Sequence, residues 1–145
     1  MQDRQLSSFI DGFKGKNVAV IGDIALDSYI YGVIERINPE MPSSPLLKVQ
    51  KIENTLGCAG NVAYNLASLG ASVSLYGIIG ADAYKKIILK KCKQKSIRLF
   101  YAVEGKTMVK QRVKEENHQS YITRVDFGEL DLAPMKKSSE EVLLK

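Results

Sequence analysis

Two apolar runs rich in β-branched residues, separated by a segment with helical periodicity, constrain the fold of this chain more than any other feature. The first run covers residues 16–21 and ends at Gly22-Asp23, and the second covers residues 71–79. Continuous runs of this kind are typical of parallel strands that are covered on both faces. Because the helical segment, residues 61–69, lies between them, we predict an α/β layer with two buried parallel strands.

The helical segments have clear apolar stripes. In the first helix, Val62, Leu66 and Leu69 recur at the spacing of one buried face. Asp82 is suited to cap a second helix, and residues 98–103 have the composition of a further strand. The order strand, helix, strand, helix, strand supports the α/β prediction.

Two other parts of the sequence do not fit that layer. Residues 28–52 and 104–125 contain extended, alternating segments, of which 107–114 and 120–125 resemble a hairpin. We predict that they form a β-lid that projects from the α/β core. The intervening residues 54–60 are small and polar, and we predict a loop there.

Composition limits the class of protein. The chain has 145 residues with a formal net charge of +5, and no apolar run reaches the roughly 18 residues of a membrane span. Two cysteines without a CxxC pair do not make a disulfide scaffold, so we expect a cytoplasmic protein. The single histidine, His118, cannot build a zinc site or a serine triad by itself, and we predict no metal site.

The positive charge is concentrated in one run. Six lysines lie between residues 85 and 95 without an intervening acidic residue. Such a run can contact nucleic acid or anionic lipid, but aromatic residues for base stacking are not interleaved with it. We therefore interpret the run as a solvated helix face and predict neither a nucleic-acid nor a membrane partner.

Acidic residues follow the first predicted strand. Asp23 and Asp27 come at its carboxyl end, where α/β proteins bind ligands. A carboxylate there can accept hydrogen bonds from the hydroxyl groups of a sugar. The alternative is that these residues cap a turn or a helix.

A glycine-containing loop precedes the first predicted helix. Gly57 and Gly60 would let a ligand approach the backbone, and Asn61 adds both a donor and an acceptor. The free N–H groups at the helix start would face an anion or a hydroxyl group. The loop is neither a GxGxxG nor a Walker A motif, and close packing of helix on sheet is the alternative explanation.

Four sequence blocks, in order, resemble the ribokinase-like (PfkB-type) sugar kinase family. They are Gly22–Asp27, Arg36–Pro42, Asn61–Gly70 and Arg124–Phe127. The resemblance is closest to the heptose-7-phosphate kinases of bacterial ADP-heptose synthesis. It implies a Rossmann-like core with a β-lid, dimerisation through the lids, and ATP- and Mg²⁺-dependent phosphorylation of a sugar hydroxyl.

The resemblance also implies a set of substrate-binding residues. Asp23 and Asp27 would meet the sugar hydroxyls, and the floor of the site would be formed by Gly57, Gly60 and Asn61. The cations of the lid hairpin would meet the sugar phosphate: Lys110, Arg112 and Arg124. Lys110 and Arg112 alternate onto one strand face, although a solvated edge strand would show the same pattern.

The sequence departs from the family at several places. Cys58 stands where the family has a second glycine, and Lys85 replaces another glycine. The Gly-Ala-Gly-Asp motif that carries the family's catalytic aspartate does not occur in the sequence. We therefore expect no catalytic residue and no ATP-binding region in this chain, which would bind a phosphorylated sugar but be inactive alone. The alternatives are the first chain of a split kinase, completed by a second chain, and a non-catalytic, lid-mediated homodimer or ligand-binding module.

Overall fold

The computed structural model describes residues 2–116, 120–128 and 139, and side chains from residue 7 onward. In these ranges the chain forms three helices and seven strands. Their bounds are α1 Gln2–Asp11, β1 Asn17–Ile21, β2 Ile24–Ile37, β3 Pro45–Cys58, α2 Ala59–Ser68, β4 Ser72–Ile79, α3 Tyr84–Gln94, β5 Arg98–Val103, β6 Met108–Glu115 and β7 Ser120–Phe127. None of the described helices is long and apolar enough to cross a membrane. His118 lies outside the described residues.

A three-stranded parallel sheet forms the α/β layer, in the order β1-β4-β5. The central strand β4 buries Val73, Leu75 and Ile79 against helices α2 and α3. Ile88 and Cys92 of α3 pack into the same core, and burial raises the pKa of the Cys92 thiol to about 11. The predicted parallel layer is confirmed.

Strand β1 differs from the prediction of a strand buried on both faces. It lies at an edge of the sheet, with β4 as its neighbour in the described part of the chain. Its residues alternate between exposed and partly buried, and Ile21 is 79% exposed. A run of β-branched residues does not reveal which strand of a sheet is central, and here the buried one is β4.

Helix α2 buries its small residues more fully than the predicted stripe, of which Leu66 packs against the core. Gly60 and Ala63 are buried against the sheets, whereas Val62 is 50% exposed. A Cβ atom at position 60 would lie 3.1 Å from Leu56 Cβ, tighter than most such contacts. The helix lies so close to β3 that small residues occupy the interface and the larger valine faces outward.

A second sheet contains the predicted lid segments, in the order β3-β2-β6-β7. β2 and β3, each of 14 residues, pair antiparallel, while β2 and β6 pair parallel. The prediction of a loop over residues 54–60 was wrong, because β3 continues to Cys58, which pairs with Ile24 of β2. Backbone pairing with β2 keeps these small polar residues extended. The predicted hairpin is confirmed as β6 and β7.

One hydrogen-bond network joins the two sheets. The Asp82 carboxylate accepts hydrogen bonds from the Thr107 N–H at 2.7 Å and the Thr107 hydroxyl at 2.9 Å. It also accepts the Tyr84 N–H at 3.0 Å, as the predicted cap of α3. The Gly80 N–H in turn donates to Thr107 Oγ1 at 3.1 Å. The loop after β4 is thereby tied to the segment that leads into β6.

The Asp82→Ala variant should be destabilised by about 1–3 kcal/mol, because it leaves buried polar groups of Thr107 without their acceptor. Urea unfolding measures the change. Asp11→Ala, which removes an exposed ion pair with Lys14, is the control and should cost less than about 1 kcal/mol. Equal losses in the two variants would contradict the role given to the network.

The residue before α2, Cys58, has a φ of 50° and a ψ of −129°, a conformation that favours glycine. Cys58→Gly should therefore raise the free energy of unfolding by about 1 kcal/mol, since relief of strain exceeds the added chain entropy. Cys58→Ala keeps the Cβ atom and should give no gain. A gain from alanine equal to that from glycine would show that strain is not the cause.

Candidate functional site

The end of β1 and the start of α2 meet at one place. The Ala59 N–H donates to the Asp23 carbonyl at 3.0 Å, and the Gly22 N–H donates to the Tyr76 carbonyl at 3.1 Å. A Cβ atom at Gly22 would lie 3.3 Å from Ala59 Cβ, so the two segments are in close contact. The exposed Asp23 thus lies beside the helix start that carries Asn61, and its carboxylate has no hydrogen-bond partner among the described residues.

An ion pair forms the centre of the candidate site. Arg112 Nη1 of β6 donates to Asp27 Oδ1 of β2 at 2.6 Å, and their side chains are only 19% and 17% exposed. The hydrogen bond to Asp27 raises the pKa of the Arg112 guanidinium above its ordinary value. The family resemblance implies separate roles for these two residues, whereas the fold brings them together. Two strands and one backbone acceptor, the Lys110 carbonyl at 3.3 Å, hold the guanidinium in place.

Gly57 leaves the space that the ion pair uses. It pairs with Ala25 across β2 and β3, next to Asp27. A Cβ atom at position 57 would lie 3.0 Å from Asp27 Oδ2 and 3.1 Å from Asp27 Cγ. A larger residue would push the carboxylate aside, so the glycine is needed here for space. Gly60, in contrast, faces Leu56 in the interior. For this residue, close packing of helix on sheet is the explanation, and not contact with a ligand.

The other two predicted cations lie on the same face of the lid sheet. Lys110 is the register partner of Asp27, and its ammonium lies 3.5 Å from Cys58 Sγ. Arg124 of β7 is the register partner of Arg112 and pairs with Asp126 at 2.8 Å in an exposed position. Three cations from two strands therefore face the same side, but only one of them pairs with Asp27.

Asn61 lines a small cavity beside that face. The cavity has a volume of about 190 Å³, and Thr55 and Tyr64 also line it. Within it, Asn65 Nδ2 lies 3.5 Å from Asn61 Oδ1. Thr55 is the direct cross-strand partner of Asp27, so one residue separates the cavity from the ion pair. Asn61 and Asp27 thus lie on either side of Thr55, where the lid meets helix α2.

Tyrosines continue this face toward the lid tip, and their grouping was not predicted. The rings of Tyr29 and Tyr31 stack with centroids 6.2 Å apart. Lys114 Nζ lies 4.4 Å from the ring centroid of Tyr121 and 5.1 Å from that of Tyr29. The period-two spacing of residues 29 and 31 could have placed them beside Asp27. Their contact with Lys114 depends on the β2–β6 pairing, which the sequence does not show.

Together these residues offer carboxylate, amide, guanidinium and ammonium groups along a surface that also carries aromatic rings. Carboxylates and amides exchange hydrogen bonds with hydroxyl groups, and guanidinium groups bind phosphate oxygens. The surface suits a polyhydroxylated molecule with an anionic group. In the described ranges, no three His, Cys, Asp or Glu side chains come together to hold a metal ion.

Comparison with known proteins gives the same class. The profile described as pfkB family carbohydrate kinase matches residues 16–143. The chain is 39% identical over 143 residues to the bifunctional protein HldE of Hyphomonas neptunium, covering 97% of this chain and 28% of that protein. It is 41% identical over 112 residues to the D-beta-D-heptose 7-phosphate kinase of Bordetella bronchiseptica, covering 76% of this chain and 35% of the relative. The chain therefore spans about a third or less of the curated relatives it matches.

Solved structures agree on the fold. Phosphofructokinase-2 of Escherichia coli, in complex with substrates and products, superposes with a TM-score of 0.61 at 17% identity, over 89% of this chain and 39% of that one. A carbohydrate kinase of Agrobacterium tumefaciens gives 0.59 at 18% identity, over 77% of this chain and 35% of that one. The expected ribokinase-like α/β fold is confirmed, and the chain belongs to the pfkB family of carbohydrate kinases.

Proposed function

We propose that this chain provides the sugar-binding surface of a kinase for D-glycero-β-D-manno-heptose 7-phosphate or a close analogue. The observation that carries the proposal is the Asp27–Arg112 pair, whose carboxylate occupies the space beside Gly57. It joins a group that binds hydroxyls to a group that binds phosphate. The resemblance to heptose-7-phosphate kinases supports the choice of sugar.

Each end of the surface has its own role in this proposal. Asp23, Asp27 and Asn61 hold the sugar hydroxyls near the helix start. Arg112 takes the phosphate, because a guanidinium presents a planar fork of donors that matches phosphate oxygens. Asp27 orients this fork in advance, which lowers the entropy cost of binding.

Lys110 and Arg124 add charge on either side of Arg112. Lys110 is partly buried and already directed onto the lid face, where its ammonium contacts Cys58. Arg124 lies across from Arg112 on β7 and is exposed. We assign Lys110 to the phosphate together with Arg112, and Arg124 to the rim, where solvent and salt screen its charge.

Carbohydrate kinases of this family imply ATP and Mg²⁺ as cofactors. In such sites one or two carboxylates hold Mg²⁺ together with the phosphates of the nucleotide, and Asp27 is already engaged by Arg112. Phosphoryl transfer also needs a base and electrostatic stabilisation of the γ-phosphate. We propose that this chain alone binds the sugar phosphate without phosphorylating it.

A second polypeptide carrying a nucleotide-binding half is the second candidate, and an apolar row on the α/β sheet favours it. Ile21 of β1 is exposed, and its register partner Tyr76 stacks on Phe100 with ring centroids 4.7 Å apart. These three side chains form an apolar row across one face of the sheet. Such a row suits further structure packed against this face of the sheet.

The lid offers a separate surface for a second copy of the chain. Its described strands expose several large apolar side chains, among them Ile37, Val49, Ile52 and Val125. An apolar lid is consistent with the homodimer that the family resemblance implies. A dimer without catalysis would arise if no nucleotide-binding half joins the chain.

Arg112→Ala should weaken binding of heptose 7-phosphate at least tenfold, because it removes charge-assisted hydrogen bonds to the phosphate. Isothermal titration of the full chain measures this loss. Arg98→Ala removes an equally charged, exposed residue of β5 and should change the affinity less than twofold. Equal effects of both variants would refute a phosphate site at Arg112.

Gly57→Ala should weaken the same binding about tenfold while keeping the fold, since the new methyl group displaces the Asp27 carboxylate. Circular dichroism and the urea midpoint verify folding. Asp27→Asn serves as the companion variant and should lower affinity similarly, because it removes the charge that orients Arg112. Unchanged affinity in both variants would show that Asp27 does not contribute to sugar-phosphate binding.

The purified chain should not convert ATP to ADP in the presence of heptose 7-phosphate. A coupled assay for ADP release measures this. Co-expression with the nucleotide-binding part of the Bordetella kinase tests the second candidate, which expects co-purification and restored turnover. Turnover by the chain alone would overturn the proposal that it only binds.

A further inference from the structure

A second polar cavity lies between α3 and the edge of the lid, away from the Asp27–Arg112 pair. It has a volume of about 370 Å³, within the range of small-molecule sites. We name it the lysine cavity, and its lining residues are Asn54, Lys86, Ile87, Lys90, Lys91 and Gln94. Asn54 comes from β3 and the other five from α3, so the cavity exists only because the lid edge lies beside the helix.

The lining chemistry favours an anion. Three ammonium groups and two side-chain amides can all donate hydrogen bonds, and no carboxylate lines the cavity. Among the described residues, none of the three lysines forms an ion pair at contact distance. Glu53, which pairs with Lys51 at 2.7 Å, interacts electrostatically with Lys91 but does not line the cavity. Net positive charge therefore remains in the cavity.

The neighbouring aromatic rings do not offer a platform for nucleic-acid bases. Lys95 Nζ lies over the Tyr64 ring at 4.7 Å, and Lys85 Nζ lies over the Tyr101 ring at 5.1 Å. Each ring already has a cation on one face, whereas single-stranded nucleic acid binds through open aromatic faces. Charge without stacking indicates a compact ligand.

The lysine cavity adjoins the Asn61 cavity, because Lys91 lines both, but its other five lining residues do not line the Asn61 cavity. Asn54 pairs with Ser28, whereas the next residue, Thr55, pairs with Asp27. Successive residues of a strand face opposite sides of the sheet, so Asn54 points away from the face of the ion pair. Lys86 and Lys90 line only the lysine cavity, so their substitution distinguishes its ligand from one bound at the sugar surface.

We propose that the lysine cavity binds a compact polyanion, such as a polyphosphorylated small molecule. Lys86 and Lys90, one turn apart on α3, take one end of the phosphate chain, and Lys91 takes the other. The amides of Asn54 and Gln94 donate to the remaining oxygens. This explains the basic run of α3 by ligand binding, in place of the solvated helix face expected from the sequence.

Titration of the full chain with inorganic tripolyphosphate tests the proposal. We expect one site, with orthophosphate binding at least tenfold more weakly because it reaches fewer ammonium groups. ATP should bind with the same affinity as tripolyphosphate if the site recognises only the phosphates. Tighter binding of ATP would identify a nucleotide as the source of the phosphates, and both results support a polyphosphate site.

The double variant Lys86→Gln/Lys90→Gln should weaken tripolyphosphate at least tenfold, since each lost charge-assisted hydrogen bond contributes severalfold. The control Lys16→Gln/Lys93→Gln removes the same charge from exposed positions outside the cavity and should change affinity less than threefold.

Three results would overturn the proposal. Equal losses in the two double variants would mean that only net charge matters. Loss in Arg112→Ala with retention in Lys86→Gln/Lys90→Gln would place tripolyphosphate on the sugar surface. A single-stranded oligonucleotide that binds more tightly than tripolyphosphate, with the same dependence on Lys86 and Lys90, would indicate a nucleic-acid surface.

Discussion

The pairing of β2 with a neighbour on each side is the interaction on which the rest of this structure depends. Its first residues, Ile24 to Leu26, are buried in the common core, and its last residues project into the lid. One edge pairs with β3, which positions Gly57, and the other with β6, which positions Arg112. A single strand thus connects the α/β layer, the lid and the candidate site.

The α/β part of the fold could be predicted because its signals are local. The β-branched run of β4, the stripe of α3 and the cap at Asp82 each act within one element and its neighbours. Strand order, in contrast, depends on partners distant in sequence, so the edge position of β1 was missed. The extension of β3 to Cys58 was missed for the same reason, since small polar residues become extended here through pairing with Ile24.

The site shows the same division. Residue types and the family resemblance identified Asp27, Gly57 and Arg112 from the sequence, and their roles in sugar binding remain proposals. The contact between Asp27 and Arg112 could not be predicted, because it depends on the parallel register of β2 and β6. Gly60 is buried in α2 whereas Val62 is exposed. On a helix that lies very close to a sheet, the smallest residues therefore identify the buried face.

The Asp27–Arg112 contact joins residues that are 85 positions apart in the chain. A parallel pair of this kind closes a long loop, and such closures are slow steps in folding. All of α2, β4, α3 and β5 lies within that loop. During synthesis the chain therefore cannot assemble its ligand-facing surface until the whole α/β layer has emerged.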